Sequence, residues 1–225
     1  MVSTIAIIVG IIAAAPERSS SEFVWTGYYQ EVYAKPGYDN RSYVLIIGML
    51  TTLYGMSGYE AGSQVSEETT DAQRSAPKSI VHGVIAAIII GFAFFVGLLY
   101  SMNGRIDGAL NGLTSQPVVN IFDMAFTDKE GNRILAGSLT MSILLLINVY
   151  LGGFSHMTVT SRIIFALSRD GAFPGSKYIY GVSDKLKLPV KSIIMAFVFG
   201  SLMCLLPLVN DTAFDAITGI STIGY

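Results

Sequence analysis

Charged side chains are scarce in this 225-residue chain, where Lys, Arg, Asp and Glu together make up only 13% of the residues. A soluble domain carries about 25% charged residues, whereas hydrophobic residues reach 52% here and the mean hydropathy is +0.55. Too little polar surface remains to cover a globule in water, so the composition excludes an ordinary soluble domain. The net charge of −2 gives no basic face of the kind that nucleic acid requires.

Residues that carry covalent or metal chemistry are equally scarce. Cys204 is the single cysteine and lies in an apolar run, so an intrachain disulfide is impossible and a packing role is expected. Of the two histidines, His82 stands at the start of an apolar run, where we expect an interfacial or packed residue rather than a proton carrier. His156 follows Ser155 directly on a predicted helix, so these two side chains diverge. No nucleotide-binding loop, metal-ligand cluster or nucleophile turn is recognisable, and we expect no catalytic residue, metal or cofactor.

Long apolar runs take the place of the missing charge. A membrane-spanning helix needs about 20 mostly apolar residues, and four runs meet this length, while a shorter run at each end of the chain looks cut. The predicted spans are 2–15 (cut), 43–62, 80–102, 134–156, 190–209 and 213–225 (cut). Asn148 is a polar residue inside the fourth span and is expected to hydrogen-bond across helices. The sequence therefore predicts an all-α, multi-pass membrane protein without a separate soluble domain.

Alternating the spans assigns the loops to two sides of a bilayer. The side that holds residues 66–79 and 157–191 carries eight Lys and Arg residues and the other side six, so the positive-inside rule makes the first side cytoplasmic. Two Asn-x-Ser/Thr sequons, at Asn40 and Asn210, fall on the predicted outer side, which agrees. Residues 116–126 alternate polar and apolar side chains at helical spacing and predict a short helix on the outer surface.

The second span is not uniformly apolar. Three glycines, Gly55, Gly58 and Gly62, fall within eight residues, and glycine at this density lowers the cost of leaving the helix. Backbone groups opened at membrane depth are tolerated only where they line a cavity or are buried in protein, and a carboxylate such as Glu60 should face a wet or paired interior. We therefore predict a discontinuous helix whose freed N–H and C=O groups bind a polar solute, with Tyr59 as an aromatic wall. Close helix packing through the glycines, with Glu60 already at the membrane interface, is the alternative.

Residues 66–79 form a polar connection between the second and third spans. Ser66 or Thr69 is a suitable helix cap, acidic residues follow near the positive helix end, and Pro77 is a stop signal. The pattern predicts a short helix on the cytoplasmic surface, and a solvated charged linker is the alternative.

Polar side chains also mark the exit of the fourth span. Ser155, Thr158 and Arg162 are spaced i, i+3 and i+7, so they share one helix face. The two hydroxyls are candidates for holding a Na⁺ ion or a substrate group, although bonding to a carbonyl of the preceding turn is the commoner use. A polar glycine turn around Gly171, followed by Pro174, predicts the end of this helix.

Two of these stretches carry a family resemblance. Residues 58–80 (GYEAGSQVSEETTDAQRSAPKSI) resemble the sixth helix and following loop of amino-acid permeases of the amino acid–polyamine–organocation (APC) superfamily. Residues 158–179 (TVTSRIIFALSRDGAFPGSKYI) resemble the end of the eighth helix of that family. The chain is most similar to the eukaryotic branch that carries γ-aminobutyrate, other amino acids or choline, and its spans fit helices five to ten.

The resemblance implies part of a five-plus-five inverted-repeat transporter fold, with a central site between two broken helices, the first and the sixth. Carried over onto this sequence, the sixth-helix break corresponds to five residues that would contact the substrate: Gly55, Ser57, Gly58, Tyr59 and Glu60. Glu60 stands where Asp is usual in the family, which leaves the identity of the substrate open.

The implied function is transport of an amino acid or related small amine across the membrane, expected to be the plasma membrane, by alternating access coupled to Na⁺ or H⁺ or to exchange. Ser155 and Thr158 are the candidate contacts for an ion or for the substrate. The first helix lies outside the matched part, so the expected partners are a solute, lipid and the N-terminal helices of a longer protein, and we expect no transport by this chain alone. A non-transporting receptor or accessory protein with the same fold is the alternative, and the lack of a catalytic constellation disfavours a membrane enzyme.

Overall fold

The computed structural model describes residues 2–26, 41–56, 58–66, 69–128, 130–172, 174–208, 212 and 216–219. Its helices are α1 (Val2–Ala14), α2 (Ser21–Thr26), α3 (Arg41–Gly55), α4 (Ala61–Gln64), α5 (Ala72–Ser101), α6 (Ile106–Leu110), α7 (Pro117–Ala125), α8 (Leu135–Arg169), α9 (Ser176–Ile179) and α10 (Val190–Leu205), which continues as a 3₁₀ turn at Leu206–Leu208. No strand occurs within these ranges, where an isolated bridge joins Thr127 and Arg133. The prediction of an all-α membrane protein is confirmed. Most of the predicted span 213–225, and both sequon asparagines, lie outside the described residues.

Within the described residues, three helical stretches are long and apolar enough to cross a membrane: α5, α8 and Val190–Leu208. Helix α1 is apolar but shorter. Large apolar side chains on the three long helices are exposed, with Ile89 at 63%, Leu146 at 67% and Phe197 at 63%. In a chain with so few charges, apolar faces of this extent are the surfaces that lipid or neighbouring helices cover.

Helix α5 corrects one prediction. It begins at Ala72 rather than near residue 80, so Pro77 lies inside the helix, and the expectation of a separate surface helix stopped by Pro77 is wrong. The N–H groups of the first four helical residues have no intrahelical acceptor. Pro77 is the sixth residue of α5, so the helix loses only the hydrogen bond that an N–H at this position would donate to the carbonyl of Gln73. The long apolar run that follows stabilises the helix by more than this local loss.

The chain forms two compact units. The first comprises Met1–Val44 and Ile85–Leu151, and the second comprises Leu45–Val84 and Gly152–Tyr225.

The first unit is held together by close contact between apolar helices. Ile7 and Ile11 of α1 and Phe122 of α7 are fully buried, at 0% exposure. Gly97 of α5 lies against α1, because a Cβ at this position would be 3.4 Å from a methyl carbon of Ile8. Helix α5 therefore packs on α1 at Gly97, where an added methyl group would make ordinary van der Waals contacts.

Polar bonds inside the first unit complete this packing. The hydroxyl of Ser3 on α1 donates to Asn148 Oδ1 on α8 at 2.6 Å, so the expected bond from Asn148 across helices is confirmed. Asn120 of α7 is buried at 2% exposure, and its amide group donates to the carbonyls of Ala109 at 3.0 Å and Thr114 at 2.8 Å. This side chain fixes the loop between α6 and α7.

Asp123 joins α7 to the start of α8. Arg133 Nη2 donates to Asp123 Oδ2 at 2.6 Å, and the Ser138 hydroxyl donates to the other carboxylate oxygen. Partial burial alone would raise the pKa of Asp123, but the hydrogen bonds from Arg133 and Ser138 and the charge of Arg133 outweigh it and hold the pKa below its ordinary value. The short helix expected at residues 116–126 is confirmed as α7, and Asp123 anchors it.

The second unit contains the exit of α8. This helix ends at Arg169, and Gly171 follows with a φ of +75°. The N–H of Gly171 donates to the Ser168 carbonyl at 3.3 Å, and the N–H of Ala172 donates to the Leu167 carbonyl at 2.9 Å. These paired bonds satisfy the last carbonyls of the helix in a Schellman motif, which requires glycine at the left-handed position. The predicted end of this helix is confirmed.

Candidate functional site

The helix that begins at Arg41 is interrupted. Helix α3 ends at Gly55, and the chain becomes helical again only at Ala61, where α4 begins. Between them Gly58 has a φ of +90°, a backbone conformation that residues with a Cβ rarely adopt. The interruption lies where the sequence predicts it. Ser57, one of the five predicted contact residues, lies outside the described residues.

Some carbonyls of the break serve to start the next helix. The Gly58 carbonyl accepts the N–H of Ala61 at 3.1 Å. The Glu60 carbonyl accepts both the N–H of Ser63, at 2.8 Å, and its hydroxyl, at 2.7 Å. Glu60 stands at the N-cap position of α4 with φ −78° and ψ −4°, and its carboxylate does not cap the helix.

Other main-chain groups of the break remain open. Within the described part of the chain, neither the N–H of Tyr59 nor the carbonyl of Gly55 forms a hydrogen bond. The Tyr59 ring is half exposed, at 50%. Opened backbone groups at membrane depth need a polar partner, because a group left without one in hydrocarbon costs several kcal/mol. The break therefore offers main-chain donor and acceptor groups, the N–H of Tyr59 and the carbonyl of Gly55 among them, to a polar solute or to water.

His156 of α8 lies against this break. A Cβ built at Gly58 would lie 3.5 Å from His156 Cε1, and no other atom of the described residues outside the immediate chain neighbours comes within 4 Å of it. The imidazole itself is exposed. This proximity cannot be predicted from the sequence, because nothing in the spacing of residues 58 and 156 indicates that they meet.

The two predicted ion contacts lie on the same helix. Ser155 and Thr158 are both exposed, and the Thr158 hydroxyl donates to the Phe154 carbonyl at 2.9 Å. Thr158 thus makes the local bond that is common for hydroxyls in helices, while its oxygen keeps lone pairs for another partner. No group of three or more His, Cys, Asp and Glu side chains that could hold a metal ion occurs among the described residues. A coupling cation held here would rest on hydroxyl and carbonyl oxygens.

A cleft of about 200 Å³ lies beside α4 in the second unit. Residues 63–66 line one part of it, and Arg162, Ile163, Phe165 and Ala166 of α8 line the other. Arg162 is the member of the predicted polar face that reaches this cleft, whereas Ser155 and Thr158 do not line it. A guanidinium beside hydroxyl and amide groups is suited to a carboxylate.

The sequence of this chain was compared with protein families, curated proteins and solved structures. The model of the family described as amino acid permease matches residues 1–225. The chain is 28% identical to the amino-acid permease BAT1 homolog of Oryza sativa subsp. japonica, across 100% of this chain and 42% of that relative. It is 26% identical to the amino-acid permease BAT1 of Arabidopsis thaliana, across 100% of this chain and 43% of the relative, and 27% identical to the GABA-specific permease of Saccharomyces cerevisiae, across 80% and 30%. No solved structure matches the chain significantly.

Apolar helices of membrane-spanning length together with an interrupted helix define an integral membrane protein of the transporter type. Because the family model covers the whole chain, the chain belongs to the amino acid permease family. The resemblance read from residues 58–80 and 158–179 is confirmed. The chain spans about two fifths of the length of the curated relatives that it matches most fully.

Proposed function

We propose that this chain contributes the sixth-helix part of a substrate site in a secondary transporter for amino acids or related small amines. The observation that carries the proposal is the break after Gly55, with its left-handed Gly58, in a helix of an amino acid permease family member. The open N–H of Tyr59 donates to the carboxylate of the solute, and Glu60 supplies a negative charge for its ammonium group. Gly55 contributes its carbonyl to the same site, and Ser57 is proposed as a further contact residue.

The broken helix supports transport by alternating access. The segments on either side of Gly58 are joined by a turn rather than by a continuous ladder of hydrogen bonds, so each segment can tilt without breaking a helix. Transport is driven by a gradient of Na⁺ or H⁺, or it proceeds by exchange of one solute for another. The hydroxyls of Ser155 and Thr158 contact the ion or the substrate. The plasma membrane is the proposed location, which surface biotinylation of intact cells tests.

Uptake of labelled amino acids by the complete protein in proteoliposomes tests the proposal. We expect saturable uptake by the wild type and a loss of at least about tenfold with Glu60→Gln, because a buried ionic contact to the substrate is worth about 1.5–3 kcal/mol. Glu130→Gln is the matched control, since Glu130 is an exposed residue of the turn before α8 and should leave uptake unchanged. Equal uptake by the wild type and Glu60→Gln would remove Glu60 from the site.

Two further measurements distinguish the coupling modes from one another and the transporter from a receptor. Replacing Na⁺ by N-methyl-D-glucamine abolishes Na⁺-coupled uptake, whereas a protonophore abolishes H⁺-coupled uptake, and exchange survives both when the vesicles are preloaded with amino acid. A receptor or accessory protein with this fold would show saturable binding of the labelled amino acid without accumulation inside the vesicles.

A further inference from the structure

The His156 ring lies against the break in the helix through its Cε1 atom. Cε1 is the ring carbon bonded to both imidazole nitrogens, so the atom 3.5 Å from the position of a Cβ on Gly58 is flanked by Nδ1 and Nε2. A histidine that only fills space would be expected to be buried. His156 is not, because its imidazole is exposed.

Open space lies beside this imidazole on its own helix. Side chains on an α-helix lean towards the N-terminus and cover the turn before their own Cα, which for His156 contains Gly152 and Gly153. Within the described residues, a Cβ at either glycine would meet nothing within 4 Å. The helix surface next to the imidazole therefore has no side chains of its own and leaves room for a small solute.

Two hydrogen-bond donors thus border the same region of the second unit. One is the open N–H of Tyr59, next to Gly58 in the chain, and the other is a ring N–H of His156, since either tautomer of imidazole carries one. Donors of this kind bind a carboxylate and gain nothing from an ammonium group or an alkyl chain.

We propose that His156 is a further substrate-binding residue of this transporter, that it donates a hydrogen bond to the substrate carboxylate at the break, and that it thereby selects amino acids over amines that lack a carboxylate. The inference rests on the proposed function, because it assigns a role within the same substrate site. Glu60 binds the ammonium group that both kinds of solute share, whereas His156 binds the carboxylate that only amino acids carry.

Competition between an amino acid and its own amide tests this assignment, because the amide keeps the size and the ammonium group but loses the negative charge. Proteoliposomes with the complete protein are first assayed for uptake of labelled L-alanine, L-glutamate and γ-aminobutyrate. Uptake of a labelled compound that accumulates is then measured in the presence of increasing concentrations of the same compound without label, or of its amide. In His156→Leu we expect the concentration of acid that halves uptake to rise about tenfold or more, as for loss of a hydrogen bond to a charged group. The concentration of amide that halves uptake should stay within about twofold.

Two variants serve as controls. His156→Gln keeps a side-chain N–H donor and should retain part of the preference for the acid. His82→Leu makes the same change as His156→Leu at the other histidine, which is exposed on α5, and should behave as the wild type. Size-exclusion profiles of each purified variant show that the protein remains folded.

The outcomes separate the two proposals. An unchanged ratio of acid to amide in His156→Leu, or an equal loss of both competitors, overturns the role of His156 while wild-type uptake upholds the transporter. Absence of accumulation of all three compounds by the wild type overturns the proposed function and the selective role with it.

Discussion

Replacing Gly58 by alanine should destabilise the protein, whereas the same change at Gly55 should not. Gly58 has a φ of +90°, and holding a residue with a Cβ in such a conformation costs about 1–3 kcal/mol. Space is not the reason, since the new methyl group would meet His156 Cε1 at an ordinary contact distance of 3.5 Å. The expected loss is therefore purely a backbone effect.

Gly55 provides the matched comparison. It is the last residue of α3, it does not have a positive φ, and a Cβ there would meet no atom of the described residues within 4 Å. Alanine in a helix is more favourable than glycine by up to about 1 kcal/mol. The two alanine variants, three positions apart, should thus shift stability in opposite directions.

Thermal unfolding of the purified protein in a mild detergent measures both changes, with the fraction that remains monodisperse by size exclusion as the readout. At about 2–4 °C per kcal/mol for a chain of this size, Gly58→Ala should lower the midpoint by several degrees, and Gly55→Ala should leave it equal or slightly higher. A Gly58→Ala midpoint equal to that of Gly55→Ala would refute the reasoning, because it would show that the left-handed turn is not part of the folded protein. Uptake by Gly58→Ala should fall as well, since the open backbone groups depend on the turn.

Three other expectations concern the first unit and can be measured by the same thermal assay. Gly137→Ala places a Cβ in steric overlap with the ring of Phe126 and should cost about 1–3 kcal/mol. Gly153→Ala lies on the same helix, has no described atom within 4 Å of the new Cβ and should cost nothing, so equal midpoints would contradict the packing. Asp123→Asn removes a carboxylate whose pKa lies below its ordinary value of 3.8, so the advantage of the wild type should be complete near neutral pH and shrink as the pH falls below about 4. A constant difference at every pH would show that the carboxylate charge does not contribute. Asn148→Leu removes the bond to α1 and should cost about 0.6–2 kcal/mol, and a stabilised variant would argue against this contact.

Local backbone signals explain what the sequence predicts well. Gly58 and Gly171 adopt left-handed conformations, which glycine permits and other residues resist, so both the break and the end of α8 can be read from glycine and its neighbours. Helix α7 is likewise predictable, since its apolar positions recur at helical spacing. Each of these features depends on residues that are close in the chain.

Features that depend on residues far apart in the chain cannot be predicted from such local signals. The proximity of His156 to Gly58 joins a position on α8 to the break after α3. The network around Asn120 depends on how α6 folds back onto α7. Pro77 is a different case, because the local stop signal is correct in isolation and is overridden by the apolar run that follows it. Tertiary packing and burial in a membrane decide such conflicts, and neither is visible in a short window of sequence.

The lengths of α5 and α8 have a consequence for the depth of the protein in a bilayer. At 1.5 Å per residue, their 30 and 35 residues measure about 45 and 52 Å, against a hydrocarbon core of about 30 Å. The surplus turns are the polar ones, at the start of α5 and the end of α8, which lie at the same membrane face in the topology predicted from the sequence. They carry Arg74, Lys78, Arg162 and Arg169, and a cation that reaches the headgroups of an anionic leaflet would gain about 1 kcal/mol. Lipid charge would thus hold the two helices at a fixed height while the segments around Gly58 move.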